Sequence, residues 1–552
     1  MTDTSVQLDS ITVEVLGSAL SSIVEEMGTA LIRASYSTNI KERRDCSTIM
    51  FDRAGRTLAQ AEHIPIHLGS LMGMVEEVLR RHPLETIDPG DMFISNDAYT
   101  GGGTHLPDIV VLSPVFVSDN LVAFVANLSH HADFADRGHA HIYQEGLRIP
   151  PVRIFERGEL RQDVLELILL NCQVPAERLG DLRAQFAANR LGVRRVHALH
   201  ARYGSATVTA AGDLLMDYAE RQTRIAIARL PDGRYDFEDL FDSEELGDRQ
   251  LTLRVSVTVR GDEIELDFRG APPQVRAGLN MVWSALLAAC YYAVKVVVDP
   301  SILPNAGMYR PIRVLADEGT LLCCSEPAAI NSRTQTCQRV VDLILGALAQ
   351  AAPERVIAAC TGANTSVVFA GVDPRSGRYY SYLETLGGGF GARATKDGLD
   401  GVQTHVTNTS NLPVESLEQE YPLLVERYEL IPDSGGPGQF RGGMGIRRDM
   451  RVLEHQASFR GSTSRRLSAP WGLRDGLAGG LAQMLVDSGE GWRATSGVEM
   501  LNAGDRVSVR TAGSGGYGSP ARREREAVGR DIVDGVVTLE RAHSVYGVDD
   551  SG

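Results

Sequence analysis

Two apolar segments that follow a glycine-rich turn constrain the fold of this chain more than any other feature. Ile109 to Val117 and Leu121 to Leu128 are rich in apolar and β-branched residues, and a short turn of serine, aspartate and asparagine separates them. This pattern predicts an antiparallel hairpin. His105 and Asp108 come just before the first strand and His130 comes just after the second. Because a hairpin returns the chain to its starting end, the three side chains are expected to converge.

The residues at this end of the hairpin have the chemistry of a metal site. His105, Asp108 and His130 offer imidazole and carboxylate donors, a mixture that suits Zn, Mn or Fe(II). Eight of the 13 histidines lie between residues 63 and 141. Metal ligands need polar neighbours that orient them. The candidates for that role are Asn96, Asp97, Asn127, Ser129 and Asp133. An alternative stays open, because a His-x-x-Asp pair also arises by chance and can cap a strand or fill a polar pocket.

Charge and cysteine content exclude several classes of protein. The formal net charge is -16, from 71 acidic and 55 basic residues, which disfavours binding to nucleic acid or to an anionic membrane. The seven cysteines form no CxxC pair and their number is odd, as expected for reduced thiols in the cytoplasm. Residues 1–10 are polar, and no uninterrupted apolar run reaches about 18 residues. The sequence therefore predicts a cytoplasmic protein that is neither secreted nor membrane-spanning.

The length and the periodicity predict a multi-domain α+β fold. At 552 residues the chain is longer than a single hydrophobic core usually organises. We expect an N-terminal mixed α/β region with the metal site, a central helical segment and a glycine-rich, β-rich C-terminal part. The expected regions are 1–160 with a helix, β-hairpins and the metal site, 161–245 as the helical segment, 246–380 as mixed α/β, 381–520 as the glycine-rich β region and 521–552 as a C-terminal helix and tail.

The sequence lacks the motifs of common nucleotide and nucleophile sites. It has no GxxxxGK[ST] phosphate loop and no GxSxG elbow of a serine hydrolase. Gly513 to Gly518 matches GxGxxG, but Pro520 interrupts it and no βαβ pattern adjoins it, so a glycine turn is predicted instead of a dinucleotide site. Cys46 follows Asp45, whose charge would raise the pKa of the thiol, and it is predicted to pack in a core or pocket.

A second concentration of polar residues extends from Asp400 to Asn411 and follows a glycine run at 387–391. Asp400, His405 and Asn408 are the candidates for the wall of a substrate pocket. The alternative is that hydrogen bonds made by these side chains anchor the segment as a loop.

Many ordered segments resemble the hydantoinase B/oxoprolinase family, and the resemblance covers nearly the whole chain. The matching segments are Asn39 to Ser47, Ala59 to Ser70, Gly103 to Asp108, Ser129 to Asp133, Glu145 to Pro151, Arg178 to Gln185, Phe440 to Gly445 and Gly515 to Gly518. The chain departs from the family by a third glycine before Thr104, where relatives often have two, and by Ser129, where relatives often have Ala or Gly. Neither departure removes a predicted ligand.

The resemblance implies a cofactor and a partner. Members of the family pair with a separate ATP-binding subunit of the hydantoinase A type, or are fused to one as in 5-oxoprolinases, which fits the missing phosphate loop. The family's metal ligands correspond to His105, Asp108 and His130, with Asp45 as a further carboxylate ligand. We therefore expect a divalent metal ion (Zn, Mn or Fe), ATP used by the partner subunit, and a hetero-oligomer such as (αβ)2.

The resemblance also implies a division of the reaction between two subunits. The partner would phosphorylate an amide or enolate oxygen, and this chain would complete ring opening of a hydantoin, oxoproline or lactam, with His131, Asp133 or Glu42 as base or ligand-orienting group. Two alternatives remain. The chain could belong to an ATP-dependent ketone carboxylase similar to acetone and acetophenone carboxylases, or it could be a non-catalytic scaffold with a structural metal.

Overall fold

An antiparallel sheet of seven strands organises the N-terminal part of the molecule. The structure is a computed structural model that describes residues 8–61, 63–132, 139–495 and 497–548. The strands are β1 (Cys46–Asp52), β2 (Thr57–Gln60), β3 (Met92–Ser95), β4 (Asp108–Val117), β5 (Asn120–His130), β6 (Val152–Glu156) and β7 (Glu159–Leu160), in the order β2-β1-β5-β4-β3-β6-β7. The predicted hairpin is confirmed as β4 and β5, which pair from Asp108 with His130 to Val117 with Asn120.

Helices cover both faces of this sheet. They are α1 (Ser10–Ala34), α2 (Thr38–Lys41), α3 (His67–Ser70), α4 (Met74–Arg81), α5 (Gln162–Leu170), α6 (Pro175–Tyr203) and α7 (Ser205–Ile227). Side chains alternate along a strand, so Met50 and Val125 join the core with α1 and α6. Phe51 and Phe124 point to the opposite face, where they pack with Met74 of α4. Burying each of these large side chains stabilises the fold by about 1.5–3 kcal/mol.

The first helix of the chain, α1, is amphipathic and packs on the first sheet. Asp9 caps α1 by accepting a hydrogen bond of 2.9 Å from the backbone N–H of Thr12. Leu16, Leu20 and Val24 recur at helical spacing and are buried against the first sheet. Of the helices in the described ranges, α1 alone is long and apolar enough to cross a membrane by length and composition, and 44% of its most apolar window is buried inside the molecule. A core helix passes the same test.

A second sheet and two long helices form the centre of the chain. The strands are β8 (Gly233–Phe241), β9 (Leu251–Arg260), β10 (Glu263–Asp267) and β11 (Ile312–Leu315), in the order β11-β10-β9-β8. The helices are α8 (Trp283–Val298), α9 (Ala306–Tyr309) and α10 (Arg333–Leu348). All 16 residues of α10 are buried, including Gln335, Gln338 and Asp342. Buried polar side chains need hydrogen-bond partners, so α10 contributes polar contacts as well as core packing.

The C-terminal part is a β-sandwich, which agrees with the β-rich character that the sequence predicts for it. Its strands are β12 (Thr365–Val372), β13 (Tyr379–Leu386), β14 (Leu423–Leu430), β15 (Ile446–Val452), β16 (Ala457–Ser462), β17 (Gln483–Asp487), β18 (Arg493–Ala494), β19 (Val498–Leu501) and β20 (Arg506–Arg510), with helix α11 (Val414–Glu420). One sheet has the order β13-β12-β16-β19 and the other β14-β15-β20-β17-β18. Phe369, Tyr382 and Phe459 of the first sheet meet Met450 and Val507 of the second in one core.

The glycine runs let loops at the side of the sandwich lie directly on one another. A Cβ atom at Gly443 would be 1.9 Å from the carbonyl oxygen of Leu399, and one at Gly515 would be 1.9 Å from that of Trp471. No side chain fits such spaces. The GxGxxG match at 513–518 is therefore part of stacked backbone, in agreement with the predicted glycine turn.

The α+β class predicted from the sequence is confirmed. The chain ends in α12 (Arg525–Val533) and α13 (Leu539–Tyr546). The second of these helices was not predicted, because its residues are mostly polar; Thr538 caps it and Ala542 packs against Val528. The region borders stay a prediction. β8 pairs with β9, so the second sheet joins residues on both sides of the border at 245.

Candidate metal centre

Three neighbouring strands bring the predicted ligands to one end of the first sheet. Asp108 begins β4 and His130 ends β5, and the two residues are directly paired. Asp45 immediately precedes β1, and its carbonyl accepts a 3.0 Å hydrogen bond from the N–H of His130. His105 is joined to the start of β4 by a turn in which the N–H of Asp108 donates to its carbonyl at 3.1 Å. Pairing of β1, β5 and β4 thus assembles the cluster.

The ligand atoms of this cluster are close enough to share one ion. One ligand atom each from His105, Asp108 and His130 lie within 4.8 Å of one another. The imidazole Nε2 of His105 is 3.2 Å from Oδ1 of Asp108, and the two imidazole centroids are 4.9 Å apart. Asp45 is 8% exposed and lines the same pocket. Burial, with a contribution from Asp108, raises the pKa of the Asp45 carboxyl to about 6.

The unpaired atoms of the cluster are those that a metal ion would use. His105 Nε2 and Asp108 Oδ1 are buried, and neither has a hydrogen-bond partner in the part of the chain that the structure describes. His105 Nδ1 lies 3.0 Å from the carbonyl oxygen of Asn331, an arrangement in which Nδ1 carries the proton and Nε2 keeps its lone pair. Buried polar atoms are otherwise paired, so these two fit a divalent cation.

Asp108 is held so that only one of its oxygens is free. Its Oδ2 accepts from the Thr104 hydroxyl at 3.2 Å and from Arg333 Nη2 at 3.1 Å. Arg333 also donates to the Thr104 hydroxyl through Nη2 at 2.7 Å. Although burial opposes the charged form, His105 and Arg333 hold the pKa of Asp108 well below its usual range. Asp108 is therefore a fixed carboxylate with Oδ1 turned to the cluster.

The two imidazoles are neutral in this environment. Burial, reinforced by the charge of Arg333, lowers the pKa of His105. Burial and the neighbouring His105 ring hold the pKa of His130 well below its usual range. Asn39 fixes the His130 residue by donating to its carbonyl at 2.6 Å, and the same amide nitrogen lies 3.0 Å from Nδ1. Neutral imidazoles beside an ionised carboxylate form the protonation state that a metal ion requires.

Glu145 supports His105 from behind. Its Oε1 accepts the backbone N–H groups of Ile330 and Asn331 at 2.9 and 2.8 Å, and the carbonyl of Asn331 is the group that faces His105 Nδ1. A Glu145→Leu change removes this anchor, and we expect the metal affinity to fall about 10- to 100-fold because partners that orient a ligand have effects of that size. Calorimetric titration of metal into the metal-free protein measures it.

The matched control for this prediction is Glu326→Gln. Glu326 is a half-exposed glutamate whose carboxylate binds Arg148 and Tyr143 rather than the peptide beside His105. Metal affinity that is equal in Glu145→Leu, Glu326→Gln and the parent protein would contradict a supporting role for Glu145.

The cluster forms one wall of a pocket with a cavity volume of about 80 Å³. Three parts of the molecule contribute to it: the end of the first sheet, the start of α10, and the sandwich with its adjoining loops. The lining residues are Asp45, Ile64, Ile66, His67, His105, Asp108, His130, Asn331, Ser332, Arg333, Thr334, Gln335, Asn364, Ser366, Leu383, Thr385, Thr407 and Thr409. The wall is rich in hydroxyl and amide groups, so the pocket suits a polar ligand.

The structure does not bring two of the predicted bases, His131 and Glu42, to this pocket. His131 follows His130 and therefore points to the other face of the sheet, where Nε2 lies 3.0 Å from Gln185 Oε1. Its burial, aided by Arg178, lowers the pKa of His131 to about 4. Glu42 is exposed on the surface, and Asp133 lies outside the described residues. Their role as bases stays a prediction.

The predicted substrate-pocket residues also lie elsewhere. Asp400 accepts from Arg441 Nη1 at 2.9 Å and from the N–H of Met444. Asn408 is exposed and donates to the carbonyl of His63. His405 is buried, with Nε2 2.8 Å from Asp342 Oδ1. These contacts agree with the alternative interpretation of the segment Asp400 to Asn411, in which hydrogen bonds made by its side chains anchor it as a loop.

His405, Asp342 and Cys360 form a second group within 4.8 Å. Here the carboxylate is already saturated, because Asp342 Oδ1 accepts from His405 and from the Cys360 N–H at 3.1 Å, and Oδ2 accepts from Arg465 at 2.8 Å. Burial opposes protonation, but the Cys360 sulfur and the Asp342 carboxylate outweigh it and raise the pKa of His405 to about 10. We interpret this group as a buried ionic network.

Sequence reasoning missed the pocket residues contributed by α10. Asn331, Arg333 and Gln335 lie more than 200 positions after His105 and no family segment was recognised around them. One signal was available: Asn331 to Thr336 is an uninterrupted run of polar residues that leads into the buried helix α10. Such a polar start to a buried helix indicates a site or a charged junction.

Comparisons of the sequence and of the fold with known proteins point to the same family. The family model described as Hydantoinase B/oxoprolinase matches residues 9–520. Caprolactamase subunit beta of Pseudomonas jessenii is 33% identical over 98% of this chain and 96% of that protein. The crystal structure of the ATP-dependent caprolactamase from that organism has a TM-score of 0.90 at 32% identity and covers 99% of this chain and 98% of the matched chain.

Two further relatives differ in length or in chemistry. The 5-oxoprolinase 1 of Arabidopsis thaliana is 32% identical over 90% of this chain, which corresponds to 41% of that longer protein. A nucleotide-free structure of acetone carboxylase has a TM-score of 0.89 at 18% identity, over 98% of this chain and 80% of the other. The second likeness shows that the fold is shared.

Proposed function

The chain belongs to the hydantoinase B/oxoprolinase family, and we propose that it is the subunit that completes the ATP-dependent hydrolysis of a cyclic amide. The observation that carries the proposal is the pair of buried ligand atoms, His105 Nε2 and Asp108 Oδ1, that have no hydrogen-bond partner among the described residues and lie at a pocket lined by hydroxyl and amide groups. Names of relatives that act on lactam rings, caprolactamase and 5-oxoprolinase, support the choice of substrate class.

An ATP-binding partner of the hydantoinase A type is part of the proposal. An unactivated amide is a poor electrophile, and phosphorylation of its oxygen makes the carbonyl carbon open to attack. The sequence has no phosphate loop for that step. A caprolactamase relative is called subunit beta, and the chain matches only 41% of a 5-oxoprolinase, whose remaining length is available for another activity. A hetero-oligomer such as (αβ)2 follows.

The residues of this chain prepare the pocket for the hydrolytic half of the reaction. Asp45, His105, Asp108 and His130 would hold a divalent ion such as Zn, Mn or Fe, which when bound supplies Lewis acidity. Arg333 keeps Asp108 ionised and fixed. The hydroxyl and amide groups opposite the cluster orient the ring.

An assay with the partner tests the proposal. The chain is co-purified with a candidate ATP-binding subunit of the hydantoinase A type and supplied with hydantoin, 5-oxoproline or a lactam. We expect ring opening that requires ATP, both subunits and a divalent metal ion. Ring opening at the same rate without this chain would contradict the proposal.

The fold shared with acetone carboxylase favours one second candidate, a subunit of a ketone carboxylase. In that case the same pocket would orient an enolate and carbon dioxide. The same purified complex is incubated with a ketone, ATP and labelled bicarbonate. Label in an acid-stable carboxylate, with no opening of cyclic amides, would replace the hydrolase assignment by this one.

A further inference from the structure

A histidine outside the predicted ligand set faces the same pocket. His67 begins α3 and lines the pocket together with Asp45, His105, Asp108 and His130. We propose that the imidazole of His67 donates a hydrogen bond from Nε2 to a carbonyl or phosphoryl oxygen of the activated substrate and so holds that oxygen in the pocket. The inference rests on the proposed function, because it gives a further residue of the same pocket a role in the same reaction.

The contacts of Nδ1 determine which nitrogen of His67 carries the proton. Nδ1 lies 2.9 Å from the hydroxyl oxygen of Ser47, a residue that is 1% exposed. That oxygen accepts from the backbone N–H of Ile64 at 3.4 Å. Among the described residues the Ser47 hydroxyl has no acceptor other than His67 Nδ1, and a buried hydroxyl proton needs one. Ser47 therefore donates to Nδ1, and the neutral ring carries its proton on Nε2.

The ring of His67 is neutral because of its surroundings. The residue is 2% exposed. Burial lowers the pKa of His67 to about 4, an effect that the Asp108 carboxylate opposes and the charge of Arg333 reinforces. A divalent ion at the cluster would disfavour a charged imidazolium further, because like charges repel. A neutral imidazole with its proton on Nε2 is a donor at that nitrogen and has no lone pair there for a metal ion.

Nε2 is the end of the His67 ring that can reach a ligand. It has no hydrogen-bond partner among the described residues, and unlike Nε2 of His105 it is not wholly buried. Because Nδ1 is turned to Ser47 in β1, the opposite end of the ring is left for the pocket that His67 lines. A donor without a protein partner at the surface of a polar pocket fits an acceptor oxygen of a ligand.

The position of His67 is fixed by the segments around it. Its backbone N–H donates to the Ile64 carbonyl at 3.0 Å, and the N–H of Ile66 donates to the Val406 carbonyl at 2.9 Å. Helix α3 lies so close to α8 that a Cβ atom at Gly69 would be 2.7 Å from a backbone carbonyl oxygen of α8. A donor that is held in place needs no reorganisation when negative charge develops on the ligand oxygen, and such preorganised donors are effective in catalysis.

Arg333 shows why His67 is the available donor at this end of the pocket. The guanidinium donates from Nε and Nη2 to the Thr104 hydroxyl. Nη2 also donates to Asp108 Oδ2, and Nη1 donates to the Thr334 hydroxyl. Each nitrogen of Arg333 thus has a protein acceptor, whereas Nε2 of His67 has none among the described residues. The hydroxyl groups of the wall can accept as well as donate, so they select less strictly for an oxygen.

Histidine NMR tests the location of the proton without any turnover. The purified chain is loaded with Zn and labelled on its histidine nitrogens, and the signals of His67 are assigned by their loss in His67→Gln. We expect a protonated Nε2 and an unprotonated Nδ1. In Ser47→Ala, which removes the donor to Nδ1, the two tautomers should mix. A proton on Nδ1 of the parent protein would overturn the inference and leave the proposed function intact.

Turnover tests the effect of the donor on the reaction. In the complex with the partner subunit, His67→Leu should lower kcat for ring opening about 100-fold or more, the usual cost of removing one preorganised donor. Glutamine places an amide N–H near the position of Nε2, so His67→Gln should retain more activity than His67→Leu. Both variants should keep the metal content of the parent protein. Loss of the metal in His67→Gln would make His67 a ligand and overturn the inference, as would a parental kcat in His67→Leu.

The control is His82→Gln. His82 is a half-buried histidine whose Nε2 lies 3.4 Å from the Pro151 carbonyl oxygen, and it lies outside the pocket lining. The variant should keep the parental kcat and metal content. A loss of kcat equal to that of His67→Gln would show that the effect does not depend on a donor in the pocket, and it would overturn the assignment to His67.

Equilibrium binding to the chain alone distinguishes the two kinds of oxygen. Inorganic phosphate and the lactam 2-pyrrolidinone are titrated separately into the Zn-loaded chain, and binding is followed by calorimetry. Weaker binding of phosphate to His67→Leu than to the parent protein assigns the donor to a phosphoryl oxygen, and weaker binding of the lactam assigns it to the carbonyl oxygen. Affinities of both probes that are the same in His67→Leu and the parent protein would overturn the inference, whatever reaction the complex performs.

Discussion

His105→Ala is expected to remove the bound metal ion and to lower kcat/KM of the complex about 1,000-fold or more, because a metal ion contributes several kcal/mol to transition-state stabilisation. The imidazole Nε2 of His105 is one of two buried ligand atoms left without a partner in the described chain. Elemental analysis of the purified variant measures the metal, and the ring-opening assay measures the rate.

Asp108→Asn tests the same site through charge. The change is nearly isosteric, but it leaves the buried guanidinium of Arg333 without its carboxylate, and truncating one member of a buried ion pair costs about 3–5 kcal/mol. We therefore expect loss of metal together with a lower melting temperature, whereas His105→Ala should lose metal with a smaller loss of stability. His200→Ala is the control, since His200 is a buried histidine that contacts Ser205 between α6 and α7.

The combination of metal content and activity separates a catalytic site from a structural one. Full ring opening by a metal-free His105→Ala complex would exclude a catalytic metal. Metal loss in His105→Ala that is accompanied by unfolding of the subunit would instead point to the scaffold alternative, in which the metal is structural.

The part of the site that could be predicted is the part encoded in one hairpin. His105, Asp108 and His130 lie within 26 consecutive residues, and the strand and turn signals between them are local. The structure confirms the pairing that brings them together. Asp45 came from the family resemblance, because nothing in the local pattern shows that β1 pairs with β5.

Residues whose orientation depends on the alternation of side chains along a strand, or on contacts distant in sequence, could not be assigned in the same way. His130 and His131 are adjacent and chemically identical, and only the register of β5 decides that His130 faces the cluster and His131 faces Gln185. A similar alternation places Thr407 and Thr409 in the pocket wall while Asn408 is exposed. Residue type alone therefore does not tell which of two adjacent polar residues faces the pocket.

The polar segment around His405 was conspicuous for a reason other than the substrate. His405 pairs with Asp342, which is 63 positions earlier in the sequence. Asp342 lies on α10, a helix that was not predicted from the sequence. Asp239, Asp242 and Asp342 lie in one buried network with Arg339 and Arg465. Three acidic groups face two arginines, so a protonated His405 makes the network neutral. Buried charge requires such compensation.

Asp342→Asn is expected to destabilise the protein by about 3–5 kcal/mol, the usual cost of removing one partner from a buried ion pair. Asp342 is fully buried and accepts from His405, the Cys360 N–H and Arg465. Asparagine can satisfy part of this geometry, but it leaves two cations without their counter-charge. Urea denaturation measures the loss. Asp236→Asn, at an exposed pair on the same sheet as Asp239, should change stability by about 0.5 kcal/mol or less.

The pH dependence of this network has a defined sign. The pKa of His405 is raised from an ordinary value of 6.5 to about 10 in the folded protein. The proton is therefore bound more tightly in the folded state, and its stabilisation is complete below pH 6.5 and is lost as the pH rises toward about 10. The stability difference between the parent protein and His405→Gln should accordingly shrink as the pH is raised from 6.5 to 10. A difference that stays constant over this window would show that His405 is neutral in the folded protein, and the network would then carry an uncompensated negative charge.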